Sequence, residues 1–411
     1  MAPQRYHPGA GASLQPDFLV VGAGIVGLTC ALALKRRYTD ATIRIIDKEP
    51  DLAAHSSGRN SGVLHAGFYY GAGSMKARLC ADGNRRWQAW CDEHGLPVRR
   101  CGKLVVARDA DEERRLDELL RRAEHNGVDL KPVTAAEARE IEPRVRTHER
   151  ALFASATASV DPRQVVRSVA EVARAEGIEV VLGCAYRGRE ADGRLRVGDD
   201  LVQPGFVLNT AGLHADTVAR DFGFSSGYRI LPFKGLYLVG DERAGPLRCH
   251  IYPVPDLKMP FLGVHFTVTV DDHVKIGPTA LPALGREHYG GLRGIGPVEL
   301  VDILMREASM ALTHSTFRQL AFQELGKAFR RRLVRLATHM LDGVEPEHYT
   351  RWGRPGIRAQ LLDLEKRELV MDFLVEGDET SLHVLNAVSP AFTCALPLAD
   401  LIVDDVAARV G

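Results

Sequence analysis

The sequence predicts an α/β protein of two domains: a Rossmann-type dinucleotide-binding domain and an α+β substrate domain built on an antiparallel sheet. Three observations lead there. The chain has 411 residues, more than one hydrophobic core usually serves. A glycine-rich turn, GAGIVG, stands between a strand-like LVV and a helix-like LTCALALKRR. From Tyr228 to about Thr279, β-branched and aromatic residues alternate with polar ones, in runs such as GVHFTVTV. Formal net charge is zero, which leaves no basic excess for phosphates and argues against nucleic acid as the main partner.

In chain order, residues 1–16 (MAPQRYHPGAGASLQP) lack the apolar core of a signal peptide and read as a flexible tail. Leu19–Val21 then form a strand that enters the glycine turn. Gly22 permits the tight turn, Gly24 lets backbone approach a pyrophosphate, and Gly27 allows close helix–strand packing, with Ile25 and Val26 between them. The helix N-terminus offers N–H groups and a partial positive charge to phosphates. Asp47 closes the second strand, TIRIID, where an acid should accept from a ribose hydroxyl. The apolar run FLVVGAGIVGLTCALAL approaches a membrane span in length, but the spacing of its glycines explains it better.

Next comes HSSGRNSGVLHAGFYY, residues 55–70, a poor helix and an indifferent strand because glycine is costly inside either. In a nicotinamide enzyme further crossover units would follow the second strand directly. Here a run with bare glycines follows, suited to a flavin ring lying on backbone, and FAD is the expected cofactor. Lys48, Ser56, Asn60, Ser61 and Gly62 join its candidate contacts. In FVLNTAG, Ala211 and Gly212 are small where backbone would approach the cofactor. Ser389, Pro390, Ala391 and Thr393 open a helix-like run, and a helix N-terminus aimed at the flavin would stabilise charge on the reduced ring.

The stretches HSSGRNSGVLHAGFYY, GSMKARLC, RRCGKLVVA, NTAGLHAD, IYPVPDLKMPFLGVHFT, IGPTA with REHY, PGIRAQ and LHVLNAVSPAFT carry a resemblance. In that order they resemble the L-2-hydroxyglutarate dehydrogenase/oxidase family of the D-amino-acid-oxidase-like flavoproteins. The resemblance extends from about residue 17 to about residue 405. One departure stands in PFKGLYL, where Lys234 and Leu236 replace the arginine and glutamate of the family's P-F-R-G-E.

The resemblance implies a discontinuous FAD domain (17–90, 150–226 and 352–411) with the substrate domain inserted as 91–149 and 227–351. It implies oxidation of a small dicarboxylate, L-2-hydroxyglutarate, with electrons passed to a quinone-type acceptor or oxygen. Another 2-hydroxy acid, glycerol phosphate or an amine is the alternative substrate, and a non-catalytic flavin-binding sensor the alternative of another class. Locally, residues 111–149 read as a charge-rich helix and then a loop with Pro132 and Pro143. Residues 297–341 are helical, with Phe329, Leu333, Leu336, Ala337 and Met340 on one face of the last segment. Arg330, Arg331, Arg332 and Arg335 lie largely off that face and read as a solvated surface. Contact with anionic lipid is the alternative, placing the chain peripherally on the inner face of a membrane, near its quinone. Seven scattered cysteines without a C-x-x-C pair suggest reduced thiols and a cytoplasmic protein. No metal is expected, and the oligomeric state is left open.

Oxidising a 2-hydroxy acid takes the hydroxyl proton to a base and the C2 hydrogen to the flavin. Histidine suits the base. A lone histidine on a β-type run is more often structural, but His65 and His265 both stand in matched motifs. His265 is the favoured base and His65 a flavin or substrate contact. The substrate carboxylates need cations. Arg358 in PGIRAQ occupies the position where the superfamily holds a carboxylate, and a guanidinium fork suits that role. Arg286, Tyr289, Lys234, Tyr237 and Arg59 are candidates for the second carboxylate.

Overall fold

The computed structural model describes residues 15–71, 73–256, 262–291 and 293–410. Most of the expected tail, and residues 257–261 of the IYPVPDLKMPFLGVHFT stretch, lie outside them. Two compact units emerge: residues 15–58, 162–230 and 359–410, and residues 59–161 with 231–358.

The first unit is a six-stranded sheet in the order 375–377, 381–384, 206–209, 18–21, 43–46, 179–181. Every pairing is parallel except that of the edge strand Val375–Gly377. FLVV, IRII and FVLN are buried along their whole length, as strands covered on both faces must be. The helices Ile25–Arg37, Pro162–Ala175 and Ala391–Val410 belong to this unit. Thr29 Oγ1 donates to the Ala395 carbonyl at 3.2 Å and ties the first and last of them together. The glycine turn thus leaves a central strand flanked by neighbours on both sides, at its carboxyl end, where open α/β sheets bind ligands.

The second unit holds an eight-stranded sheet in the order 351–352, 238–239, 274–277, 265–268, 250–253, 103–106, 150–154, 131–134. Its neighbouring strands pair antiparallel except His250–Pro253 with Lys103–Val106, which run parallel. Strand alternation sorts the side chains. Leu104, Ile251, Phe266 and Ile276 enter one apolar cluster with Leu333, Val334, Ala337 and Met340 of the helical segment. Val105 and Tyr252 face the other way, packed with Phe68 and Tyr69.

Several expectations need correction. Residues 59–90 belong with the second unit, because Val63–Leu64 pairs with Ala158–Val160, which also pairs with Val98–Arg99. Residues 150–161 go with them, since Arg150–Ala154 is a strand of the eight-stranded sheet. Pro132 lies in the edge strand Lys131–Thr134, not a loop; an edge tolerates its missing N–H. Phe329 precedes the helix Arg330–Ala337 with extended backbone and is 71% exposed, so Val334 takes its place on the buried face. All seven cysteines are free thiols. Among the described residues no helix is long and apolar enough to cross a membrane.

Candidate active site

In the first unit the glycine turn is shaped for a dinucleotide. Gly22 adopts φ +108°, which favours glycine, and its backbone packs on Thr210, whose hydroxyl donates to the carbonyls of Val21 and Gly22. A Cβ on Gly27 would lie 2.0 Å from the Gly22 oxygen, so the helix can start there only with glycine. A Cβ on Gly24 would meet just one atom within 4 Å, Ser57 Oγ at 3.1 Å. Backbone is therefore laid bare at the helix start, as a pyrophosphate requires. The Ile25 N–H donates to Ser57 Oγ at 2.9 Å, and no acid occupies the first turn of the helix. Asp47 accepts from the N–H of Ala23 (2.8 Å) and of Glu49 (2.9 Å), which fixes its carboxylate at the end of the second strand with lone pairs to spare. These features fit a dinucleotide cofactor.

Other candidate cofactor residues fall on both units. Lys48 joins Glu49 and His55 in a small ionic cluster. Ser56 lies in the 3₁₀ turn Ser56–Gly58 of the first unit, while Asn60, Ser61 and Gly62 lie in the second. There Asn60 Oδ1 accepts from the Gly62 N–H, holding a turn in which Gly62 has φ +80°. A Cβ on Gly212 would meet nothing within 4 Å, and the Ala211 N–H donates to Asn209 Oδ1. Ser389 and Pro390 precede the helix that Ala391 opens, and Thr393 is buried in its first turn. Ser57 and Thr210 are the contributors that sequence reasoning missed as individual contacts. Neither carries a motif of its own.

The second unit gathers the chemistry. His265 and Tyr252, one step from the Ile251–Phe266 pair, stack with centroids 3.7 Å apart. Tyr237, just before the strand Leu238–Val239 and beyond the intervening strand Val274–Gly277, approaches His265 edge-on at 6.4 Å. Gly277 between them is what allows it, since a Cβ there would lie 2.8 Å from the Tyr237 ring. The Nδ1 of His265 is 2.8 Å from the Gly263 carbonyl, which can only accept, so Nδ1 carries the proton and Nε2 keeps its lone pair. Burial, with smaller contributions from Lys103, Arg358 and Lys327, pushes this imidazole down to about 3. His265 is therefore neutral and poised to accept.

His250 is arranged oppositely. Its Nδ1 accepts the Val268 N–H at 3.1 Å, leaving Nε2 to face Ser159 Oγ at 3.4 Å, so both nitrogens serve the fold. Burial first, then Lys103 and His265, holds the buried His65 well below the usual imidazole range. The Lys103 amine stands over the rings of Tyr252, Tyr69 and Phe68 at 4.4, 5.0 and 5.4 Å. Sequence reasoning missed Lys103, His250 and Tyr252; their alternation with Leu104, Ile251 and Pro253 was the signal available.

Among the carboxylate candidates, Arg358 donates through Nη1 to the Thr279 carbonyl at 3.2 Å, and Gly235 leaves its guanidinium room. It contributes to the shifts of both His265 and Tyr237. The Arg59 guanidinium lies 4.1 Å over the Tyr289 ring and reaches the Pro355 carbonyl, three residues before Arg358. Lys234 Nζ sits 3.3 Å from His288 Nδ1. Arg286 is a different matter: it is buried and paired with Glu299 at 3.1 Å, so its charge is already balanced by the first turn of the helix Pro297–Thr313.

Comparisons with known proteins show the family and the fold. The family described as FAD dependent oxidoreductase matches residues 17–404. The mitochondrial L-2-hydroxyglutarate dehydrogenase of Nematostella vectensis is 36% identical, over 97% of this chain and 92% of that protein. The L-2-hydroxyglutarate dehydrogenase of Escherichia coli K12 is 33% identical, over 95% and 93%, and the human mitochondrial one 34%, over 96% and 89%. In fold the chain is similar to the L-alpha-glycerophosphate oxidase of Mycoplasma pneumoniae with FAD bound. The TM-score is 0.75, at 19% identity, over 96% of this chain and 95% of that one.

Proposed function

The chain belongs to the FAD dependent oxidoreductase family and, within it, to the L-2-hydroxyglutarate dehydrogenases, and on that premise we propose that it oxidises L-2-hydroxyglutarate to 2-oxoglutarate. FAD is its cofactor and, when bound, supplies the two-electron acceptor for the C2 hydrogen. His265 takes the hydroxyl proton on Nε2. Its low basicity in the free protein rises when a dianion settles beside it, because a nearby negative charge favours the imidazolium. Arg358 holds one carboxylate in its fork, and Lys234 and Arg59 serve the second. His65 contacts substrate or flavin. Arg286 is left out because Glu299 satisfies it.

The observation that carries the proposal is the Nε2 lone pair of a buried, neutral His265, on a face it shares with Tyr252 and Tyr237 and under the influence of Arg358. Anaerobic mixing with L- and D-2-hydroxyglutarate tests it. The L enantiomer should bleach the flavin and the D enantiomer should not; a flavin bleached by neither, but by another hydroxy acid or an amine, would reassign the substrate.

For the electron acceptor we propose a membrane quinone. Support comes from the helix Pro297–Thr313, whose residues Val298, Val301, Met305 and Leu312 share one side and are 83, 54, 62 and 81% exposed. Phe322 and Phe329 are exposed beyond it, with Arg331, Arg332 and Arg335 nearby in sequence. An apolar ridge beside cations suits an anionic lipid surface. Flotation with anionic liposomes should carry the protein upward, and Val301→Glu with Met305→Glu should abolish this; wild-type protein left at the bottom at low salt would remove the idea.

A further inference from the structure

Lys103 has no role in the scheme above, yet its position is costly. The side chain is fully buried, and among the described residues Nζ has no hydrogen-bond partner. An amine in that state survives because three aromatic faces surround it: Tyr252 at 4.4 Å, Tyr69 at 5.0 Å and Phe68 at 5.4 Å. Those faces accept an ammonium through their quadrupoles but supply no counter-ion. Lys103 pairs with His250 across the parallel junction of the sheet, and the Tyr252 ring beneath its amine is the one that stacks on His265.

Among the described residues, the groups that bear on the amine from the surrounding elements are thiols, imidazoles and phenols, and the two cysteines favour its charged form. Cys80 comes from the helix Met75–Glu93 and Cys101 from the residues just before its own strand. His65 and Tyr69 come from the 63–70 segment, and His250, Tyr252 and His265 from the two neighbouring strands. No carboxylate is among them.

We propose that Lys103 is a positioning residue that switches charge: its caged amine takes a proton from solvent when a dicarboxylate binds at the histidine face, and adds a cation on that face to those of Arg358, Lys234 and Arg59. The physics is direct. A buried amine without an anion is held toward its neutral form, and an arriving dianion reverses that preference. Burial alone already brings this amine down to about 7, so a modest further influence suffices to move it across neutrality. Tyr252 couples the event to His265, on whose ring it stacks. This inference rests on the histidine face being the substrate site.

Calorimetric titration of the FAD-loaded protein with 2-oxoglutarate, in buffers of differing ionisation enthalpy at mildly alkaline pH, reads proton uptake without turnover. Wild-type protein should take up a substantial fraction of a proton on binding. Lys103→Met should take up none and bind about ten-fold more weakly, as loss of one charge at moderate distance predicts. Lys103→Arg, permanently charged, should bind without uptake. A Lys103→Met protein with the wild-type flavin spectrum and unchanged uptake would overturn the proposal. Should that variant fail to fold, the wild type decides: uptake whose midpoint moves steeply with temperature marks an amine, whereas a shallow dependence marks an imidazole and refutes the assignment. A flavin that L-2-hydroxyglutarate does not bleach would instead sink the substrate reading, while uptake on binding any dicarboxylate would still test Lys103.

Discussion

The imidazole of His265 lies flat on the phenol ring of Tyr252, centroids 3.7 Å apart and planes within 16° of one another. One side of the histidine is thereby immobilised, and the Gly263 carbonyl fixes its rotation about the remaining axis. Pre-organisation of this kind gives a proton acceptor its worth, because little has to move when the substrate arrives.

Replacing His265 by Gln removes the acceptor while keeping much of the volume. Turnover should fall by about two or more orders of magnitude, with FAD content and melting temperature near wild type. Steady-state kinetics with a dye acceptor provide the measurement. Near-normal kcat in a fully loaded His265→Gln enzyme would exclude His265 as the base.

Losing Arg358 should act on substrate capture. A charge-assisted contact is worth about 1.5–3 kcal/mol, so Arg358→Ala should cost about 10- to 100-fold in kcat/KM. Arg358→Lys should recover only part of this, since a point charge cannot replace the planar fork. An unchanged kcat/KM in the alanine variant would contradict the role.

Acid should destabilise the fold well before its carboxylates titrate. Burial holds His65 and His250 well below the usual imidazole range, His265 down to about 3 and His383 to about 4. In the unfolded chain the same groups take protons near 6.5, so between that value and about 4 the unfolded state binds more protons. Stability therefore rises with pH across this window and is lost as pH falls through it. Melting temperatures recorded from neutrality down through the window should drop steeply; a flat profile would mean that these histidines are not held neutral.

Two of the turn glycines should fail in different ways. Gly27→Ala forces a Cβ to 2.0 Å from backbone oxygen and should prevent stable folding. Gly24→Ala meets only the Ser57 hydroxyl, at 3.1 Å, and should fold yet hold FAD weakly. Absorbance of purified protein at the flavin band, with and without added FAD, separates the two outcomes. A Gly24→Ala protein as yellow as wild type would show that no cofactor approaches there.

How much of this was legible beforehand depends on whether a signal was local. Gly22, Gly24, Gly27 and Asp47 could be read because a turn that admits a phosphate constrains a few consecutive residues. The strands LVV and TIRIID could be read beside that turn for the same reason. Lys103 could not be read as part of the site. Its neighbours there are brought by pairing of Lys103–Val106 with His250–Pro253, far away in sequence and parallel within a mostly antiparallel sheet. Arg286 looked available because nothing nearby in sequence announced that Glu299 would fold back onto it. Phe329 fitted the helical period, but the helix begins one residue later.

The sorting of side chains by the eight-stranded sheet also bears on how this chain can change. With Lys103, His250, Tyr252 and His265 alternating along their strands with Leu104, Ile251 and Phe266, the polar face and the apolar cluster behind it differ only by one step of register. Deleting a single residue just ahead of His250 would send Ile251 and Pro253 to the histidine face and drive His250 and Tyr252 into hydrocarbon. Change in length here is therefore far more damaging than change in side chain, and new specificities are open to point replacement while insertions and deletions are confined to the loops at the strand ends.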